Sequence, residues 1–166
     1  MKDYYFVFLI VACSVTPDLA LGCAINGNID KNSQVNETCD QSWVVHGNIV
    51  DGSTVTLTSK SASIRIDGKI GGGSHVTLIA PNASISIGGA IDDESTVILT
   101  TGNGSNIHIG GSINGGARVC LNAEGSVSIN GEIGDERTEV YWQGSSISAH
   151  VGKHGVPVFK KASCPL

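Results

Sequence analysis

Ile66-Asp67-Gly68-Lys69-Ile70 is followed, twenty-one residues later, by Ile87-Gly88-Gly89-Ala90-Ile91. Both are copies of one phrase, apolar-x-Gly-x-Ile. It also occurs as Ile25 to Ile29, Val45 to Ile49, Ile109 to Ile113 and Ile129 to Ile133, giving successive steps of 20, 21, 21, 22 and 20 residues. So regular a period marks a repeat architecture. The flanks repeat in step. Gly52-Ser53-Thr54-Val55-Thr56-Leu57 corresponds to Gly73-Ser74-His75-Val76-Thr77-Leu78 and to Glu94-Ser95-Thr96-Val97-Ile98-Leu99.

Within a unit the apolar residues alternate, so the unit is strand and not helix. One strand sets Val55 and Leu57 on the same side, as do Val76 with Leu78, Val97 with Leu99 and Val119 with Leu121. A second sets Ile64 with Ile66, Ile85 with Ile87, Ile107 with Ile109 and Val127 with Ile129. A third, very short strand contributes Ile49, Ile70, Ile91, Ile113 and Ile133. Gly-Gly, Asp-Gly and Asn-Gly steps supply corners that need positive φ. No single coil can bury its own apolar face, but stacked coils can. The reading is an all-β, single-stranded parallel β-helix (β-solenoid) of about six coils of roughly 21 residues, three short strands per coil, with capped ends. At about 4.8 Å per rung the stack stands roughly 25–30 Å tall. A meandering antiparallel barrel is the alternative, but hairpins need no fixed period.

Open strand edges at the two ends must be covered, and left open they allow end-to-end self-association. The pattern frays at both ends. Glu37 falls where later coils have Leu, and in the last coil Trp142 replaces Leu, Ala149 replaces Ile and Lys153 falls at the final Ile. Trp142, Pro157, Phe159 and Cys164 form a C-terminal cap. The chain therefore divides into a leader over 1–22, a solenoid domain over 23–152 and a capping tail over 153–166.

The Gly-x-Ile, Ser-x-Val-x-Leu and Ser-Ile-x-Ile phrases, spread over roughly residues 25–151, resemble those of parallel β-helix proteins, above all the haemagglutinin-type repeats of secreted adhesins. The resemblance implies the architecture and, by analogy, a surface-binding role. Adhesins of this type are much longer arrays. Carbohydrate-active β-helices are similar in shape, but they wall a charged groove with long loops, and the loops between repeats here are a few residues long.

Charge and cysteines narrow the class. The formal charge is −5 with 15% charged residues, and no basic stripe displaces phosphate counterions, which excludes a nucleic-acid partner. Tyr4 to Val15 is an apolar run too short to span a bilayer as a helix. It follows Lys2, breaks at Pro17-Asp18, and leads to Ala20-Leu21-Gly22 before Cys23, the form of a cleaved signal peptide. A lipoprotein signal, with Cys13 or Cys23 as the modified residue and the chain anchored at the cell surface, is the rival. Loss of the leader discards Cys13 and leaves Cys23, Cys39, Cys120 and Cys164, an even set for an oxidising compartment. Cys23 with Cys39 would pin the first coil; Cys120, on the outer side of its strand, would pair with Cys164 and strap the tail.

Candidate chemistry is sparse. Asp51, Asp93 and Asp135 occupy one corner column, with Gly72 and Gly115 between them and Asp92, Glu94 and Glu136 alongside. Two rungs, about 9–10 Å, lie at the upper end of the carboxylate spacing of inverting glycosidases. Asp and Gly at solvated corners are also ordinary turn chemistry, and that reading is preferred over a catalytic pair or a weak calcium site. His75 and His108 fall on different strands, and His150 and His154 lie where the ladder breaks, so no zinc set forms. No Gly-x-Ser-x-Gly elbow occurs. Thr54, Thr56 and Thr58 stack under His75, Thr77 and Ile79, then Thr96, Ile98 and Thr100, a flat face of the ice-binding kind interrupted by His75, Arg118, Glu139 and Tyr141. Asn36, Asn82 and Asn103 each begin a glycosylation sequon.

The expected function is that of a secreted, non-enzymatic binding or surface protein, adhesin-like or a host-directed effector. It would present a Ser/Thr/Asn ladder to a glycan or protein, with no cofactor. A minimal polysaccharide lyase or hydrolase and an ice-binding protein are the alternatives. Intact mass of the exported protein should show residues 1–22 removed and Cys23 at or near an unmodified amino terminus. Retention of the leader, or a diacylglycerol adduct on Cys23, would contradict this.

Overall fold

A computed structural model describes residues 22–152 and 158–165. The leader up to residue 21, with Cys13, lies outside the described residues, as do Lys153, His154 and Pro157. Among the described residues fourteen strands form two sheets of seven, and each paired strand runs parallel to its neighbours. The short-strand sheet stacks Cys23–Asn26 (β1), Trp43–His46 (β3), Ile64–Ile66 (β5), Ile85–Ile87 (β7), Ile107–Ile109 (β9), Ser126–Ile133 (β11) and Ser146–Val151 (β13). The long-strand sheet stacks Gln34–Cys39 (β2), Thr54–Ser59 (β4), His75–Ala80 (β6), Thr96–Thr101 (β8), Arg118–Asn122 (β10), Glu139–Gln143 (β12) and Val158–Lys161 (β14). Alternate strands in sequence thus belong to alternate sheets. The chain winds as a β-solenoid.

Register follows the repeat. Val76 lies between Val55 and Val97, Leu78 between Leu57 and Leu99, and Ile85 between Ile64 and Ile107. The third strand is reduced to single-residue bridges, a ladder of Ile29, Ile49, Ile70, Ile91, Ile113 and Ile133. One residue suffices there because that side of the prism has room for a single inward side chain between two corners. Each inward mid-stack Ile or Leu is fully buried, and burial of such a side chain contributes about 1.5–3 kcal/mol.

The inward set is larger than the aliphatic repeat alone. Ser53, Ser74 and Ser95 precede the long strands and are wholly buried. Their hydroxyls donate to Val50 O, Gly71 O and Asp92 O at 2.7, 2.7 and 2.5 Å, which satisfies them and closes the corner. At the far end Ser59 Oγ donates to Gln41 O at 2.7 Å, and Ala80 and Thr101 take the next rungs. Trp43 fills the inward place held by Ile64 one coil later, and its Nε1 donates to Thr58 O at 3.1 Å.

The glycine of the repeat has a steric cause. A Cβ on Gly47, Gly68, Gly89, Gly111 or Gly131 would come within 3.0 Å of the backbone of the rung before it. Without side chains these residues stack peptide on peptide: Gly68, Gly89 and Gly111 donate to Gly47, Gly68 and Gly89 at 3.1, 3.0 and 3.2 Å.

The ends differ. Glu37 pairs with Leu57 as the spacing predicts, yet it is exposed, so a charge stands at an inward position of the outermost strand β2. At the other end Trp142 pairs with Leu121 and stacks on Phe159 with centroids 6.4 Å apart, while Lys161 lies 5.0 Å over the indole. One expectation shifts. Val151, not residue 153, pairs with Ile133, because the β11–β13 register slips between Ser128 and Glu132. Cys23 and Cys39 sit at disulfide distance with Cα atoms 6.2 Å apart, and Cys120 and Cys164 with Cα atoms 5.7 Å apart. Cys120 faces outward between inward Val119 and Leu121, yet it is fully buried.

Ile87 lies between Ile66 and Ile109 and has no exposed surface. Ile87→Asp would strand a carboxylate among aliphatic columns at a cost of several kcal/mol, against a total stability of about 5–15 kcal/mol. It should fail to fold or to be exported. Ser86→Asp, one residue away and outward, should melt cooperatively near the wild-type temperature. Circular dichroism melts of the two variants check this, and indistinguishable behaviour would contradict the assigned faces.

Candidate functional site

The carboxylate column is real, and its cause lies in the backbone. Asp51, Gly72, Asp93, Gly115 and Asp135 occupy successive rungs with φ of 57°, 61°, 53°, 62° and 61°. Through the first four of these rungs the next residue also has positive φ: Gly52 at 69°, Gly73 at 68°, Glu94 at 59° and Gly116 at 74°. Two consecutive left-handed residues make a type I′ turn, which favours Gly, Asn and Asp. The turns stack through peptide bonds, with Gly52 N donating to Gly72 O and Gly73 N to Asp93 O, both at 2.7 Å.

Their carboxylates do not converge. Asp135 accepts from Gly115 N at 2.6 Å, Arg137 N at 2.9 Å and Thr138 Oγ1 at 3.2 Å. Partial burial pulls its pKa upward, but these hydrogen bonds outweigh it and hold the carboxyl below its ordinary value. Asp93 instead lies 3.6 Å from Lys69 Nζ, and Asp51 is exposed at its turn. Asp92, one residue before the column, lies 3.5 Å from Lys69 Nζ. Desolvation first, then the hydrogen bond and charge of Asp93, raise the Asp92 pKa despite Lys69. Among the described residues no group of three His, Cys, Asp or Glu side chains is placed to hold a metal ion.

The histidines separate as expected for two of them: His75 lies on β6 and His108 on β9, in different sheets. His46 belongs to a cluster that the residue-by-residue reading passed over. Its Nδ1 meets Asp67 Oδ2 at 2.7 Å, while Arg65 Nε donates to Asp67 Oδ1 at 2.5 Å. The His46 contact, then Arg65, lowers the Asp67 pKa. The signal was present in the sequence, since His46 and Asp67 follow the aligned Val45 and Ile66. The three groups lie on an open face, where Arg65 and Asp67 neutralise one another.

The sequon asparagines Asn36, Asn82 and Asn103 are all exposed. Asn82 and Asn103 share a corner, Asn103 Nδ2 donating to Asn82 Oδ1 and Asn82 Nδ2 to Lys60 O at 2.7 Å.

The outer face of the long-strand sheet carries the hydroxyl rows. Thr54, His75, Thr96, Arg118 and Glu139 form one row; Asn36, Thr56, Thr77, Ile98, Cys120 and Tyr141 form the next. Thr38, Thr58, Ile79, Thr100 and Asn122 form a third. At the corner end of the first row lies an open depression of about 330 Å3 lined by Glu94, Thr96, Gly116, Arg118 and Arg137. Arg137 Nη1 reaches across Gly116 to Glu94 Oε1 at 3.4 Å, and Arg118 Nε faces Glu139 Oε2 at 3.8 Å.

No protein family matches this chain, and neither does any curated protein or solved structure. Among the described residues no helix is long and apolar enough to cross a membrane.

The two opposite pKa shifts give a paired test. Asp135 is depressed, so its contribution to stability is present above the ordinary value of 3.8 and is lost as pH falls through its lower folded value. Asp92 is raised, so its ionised form opposes folding as pH climbs through and above 3.8. Asn tolerates the left-handed turn, so Asp135→Asn keeps the backbone and removes the charge together with one acceptor oxygen. It should lower Tm at neutral pH, with the difference closing in acid. Asp92→Asn should raise Tm at neutral pH and match wild type well below pH 3.8. Shifts of the same sign at neutral pH would contradict the assignment.

Proposed function

We propose that this chain is an exported, non-enzymatic binding module, adhesin-like in use, that presents its long-strand face to a glycan on a host or cell surface. The observation that carries the reading is the registered set of outward Thr and Asn rows. They repeat hydrogen-bonding groups about every 4.8 Å on a stiff parallel sheet, which costs little further ordering on binding. A flexible loop site would lose more entropy.

A glycan suits this face better than a protein does. Protein interfaces draw most of their energy from Trp, Tyr and Arg anchors in desolvated pockets. Of these anchors the outward rows hold only Tyr141 and Arg118 among the described residues, and Thr and Asn occupy most of the other positions. Export is supported by the apolar leader segment and by two cysteine pairs at disulfide distance, which are compatible with an oxidising compartment. The state of the corner carboxylates favours a binding role over a hydrolytic one, since Asp135 is held by its own turn, Asp93 faces Lys69 and Asp51 is exposed without a side-chain partner among the described residues.

Mature protein screened on immobilised plant, microbial and animal glycans should retain at least one class. Thr56→Val with Thr77→Val keeps the strand shape and removes two adjacent hydroxyls. At about 0.5–1.5 kcal/mol per lost hydrogen bond, the pair should weaken binding roughly five- to a hundredfold with an unchanged melt. Binding to no glycan, or turnover of a bound polysaccharide, would contradict the proposal.

A further inference from the structure

The depression at the corner end of the hydroxyl rows has a composition unlike the rest of the surface. The chain has three arginines and a net charge of −5, yet two of the three, Arg118 and Arg137, line this one hollow. Their side chains are 56% and 66% exposed, and each is held loosely, at 3.8 Å from Glu139 and 3.4 Å from Glu94. Most of their N–H donors therefore point to water. The floor stays open for a backbone reason. Gly116 has φ +74°, which disfavours any side chain, and a Cβ there would touch Glu94 and Arg137 at 3.5 and 3.6 Å.

We propose that this hollow is a subsite for the carboxylate of an acidic sugar, a hexuronate or sialate residue, and that it anchors the glycan lying along the hydroxyl rows. The proposal rests on the glycan-binding reading above and names the ligand class within it. Arginine presents a planar fork that matches a carboxylate in a bidentate way. Thr96, Glu94 and Glu139 around that fork take the hydroxyls of a sugar ring, Thr96 as donor or acceptor and the glutamates as acceptors. The alternation of charge selects the ligand. Two guanidiniums alone would take any polyanion, whereas the flanking carboxylates repel a dense sulfate or phosphate array and tolerate one carboxylate surrounded by hydroxyls. About 330 Å3 is at the small end of ligand sites, the size for one residue rather than a buried polymer.

Calorimetric titration of the mature protein tests this with trigalacturonate, sialyllactose, their methyl esters, neutral maltotriose and a heparin-derived trisaccharide. At least one free acid should bind, its ester and the neutral sugar should bind much more weakly, and binding should fall as salt rises. Arg118→Gln with Arg137→Gln should cut affinity for the acid by roughly ten- to a hundredfold per guanidinium, while Arg65→Gln, on the other sheet, should leave it unchanged. Equal binding of acid and ester, indifference to the double variant, or preference for the sulfated sugar would overturn the subsite. If neutral sugars bind and the arginine variants do not matter, the glycan reading stands and this one falls. If no sugar binds, both fall.

Discussion

Everything in this molecule depends on one rung lying directly on the next, and the tightest point of that contact is the glycine corner. Gly47, Gly68, Gly89, Gly111 and Gly131 bring backbone against backbone so closely that a Cβ could not fit. That approach turns the chain sharply enough for the short strand and the isoleucine bridge to lie on adjacent sides of a narrow prism. It also fixes register, because a slip of one residue would put a side chain into the peptide below. Ile70 then sits between Ile49 and Ile91, and Leu78 between Leu57 and Leu99. The apolar columns supply most of the driving force, and the glycines decide where it acts. Serine at the opposite corner completes the frame by holding the carbonyl three residues back.

The fold was legible because its determinants recur. An isoleucine every 20–22 residues names a column without further information, and so do the corner glycines and the Asp51, Asp93 and Asp135 positions. What the period could not give was local geometry. It offered a third, very short strand per coil, and the structure sets its width at a bridge of one residue from Ile29 to Ile133. It set the last inward position at 153, but the bulge beside Glu132 brings Val151 there, since nothing beyond the final coil constrains its register. The side-chain clusters were harder to see. His46 and Asp67 stand one repeat apart and could have been read, but Arg137 meets Glu94 only by reaching over Gly116, and that depends on a rotamer.

The placement of charge follows from the same frame. Inside the stack no ionised group can be solvated, so carboxylates and cations gather at corners and ends, where the chain is irregular and wet. Most are there to satisfy turns: Asp135 holds two backbone N–H groups and a hydroxyl, and Asp51 and Asp93 tolerate positive φ. Glu37 at the outermost strand keeps one edge of the long-strand sheet charged, which opposes pairing with another copy. At the other end the paired Trp142 and Phe159 and the tail reaching to Cys120 cover the long-strand side of the last coil, while Val151 on the short-strand edge is exposed. Against this background the Arg118 and Arg137 pair stands apart, because neither guanidinium is needed by a turn.

The parallel stack is the central claim, and interstrand nuclear Overhauser effects test it most directly. In this parallel solenoid every strong backbone contact between strands joins residues 18–22 positions apart, as Val55 to Val76, Ser86 to His108, Val140 to Phe159 and Ile133 to Val151. The account predicts that separation throughout the described coils. Contacts whose two residue numbers share a constant sum, as in antiparallel hairpins, would contradict it.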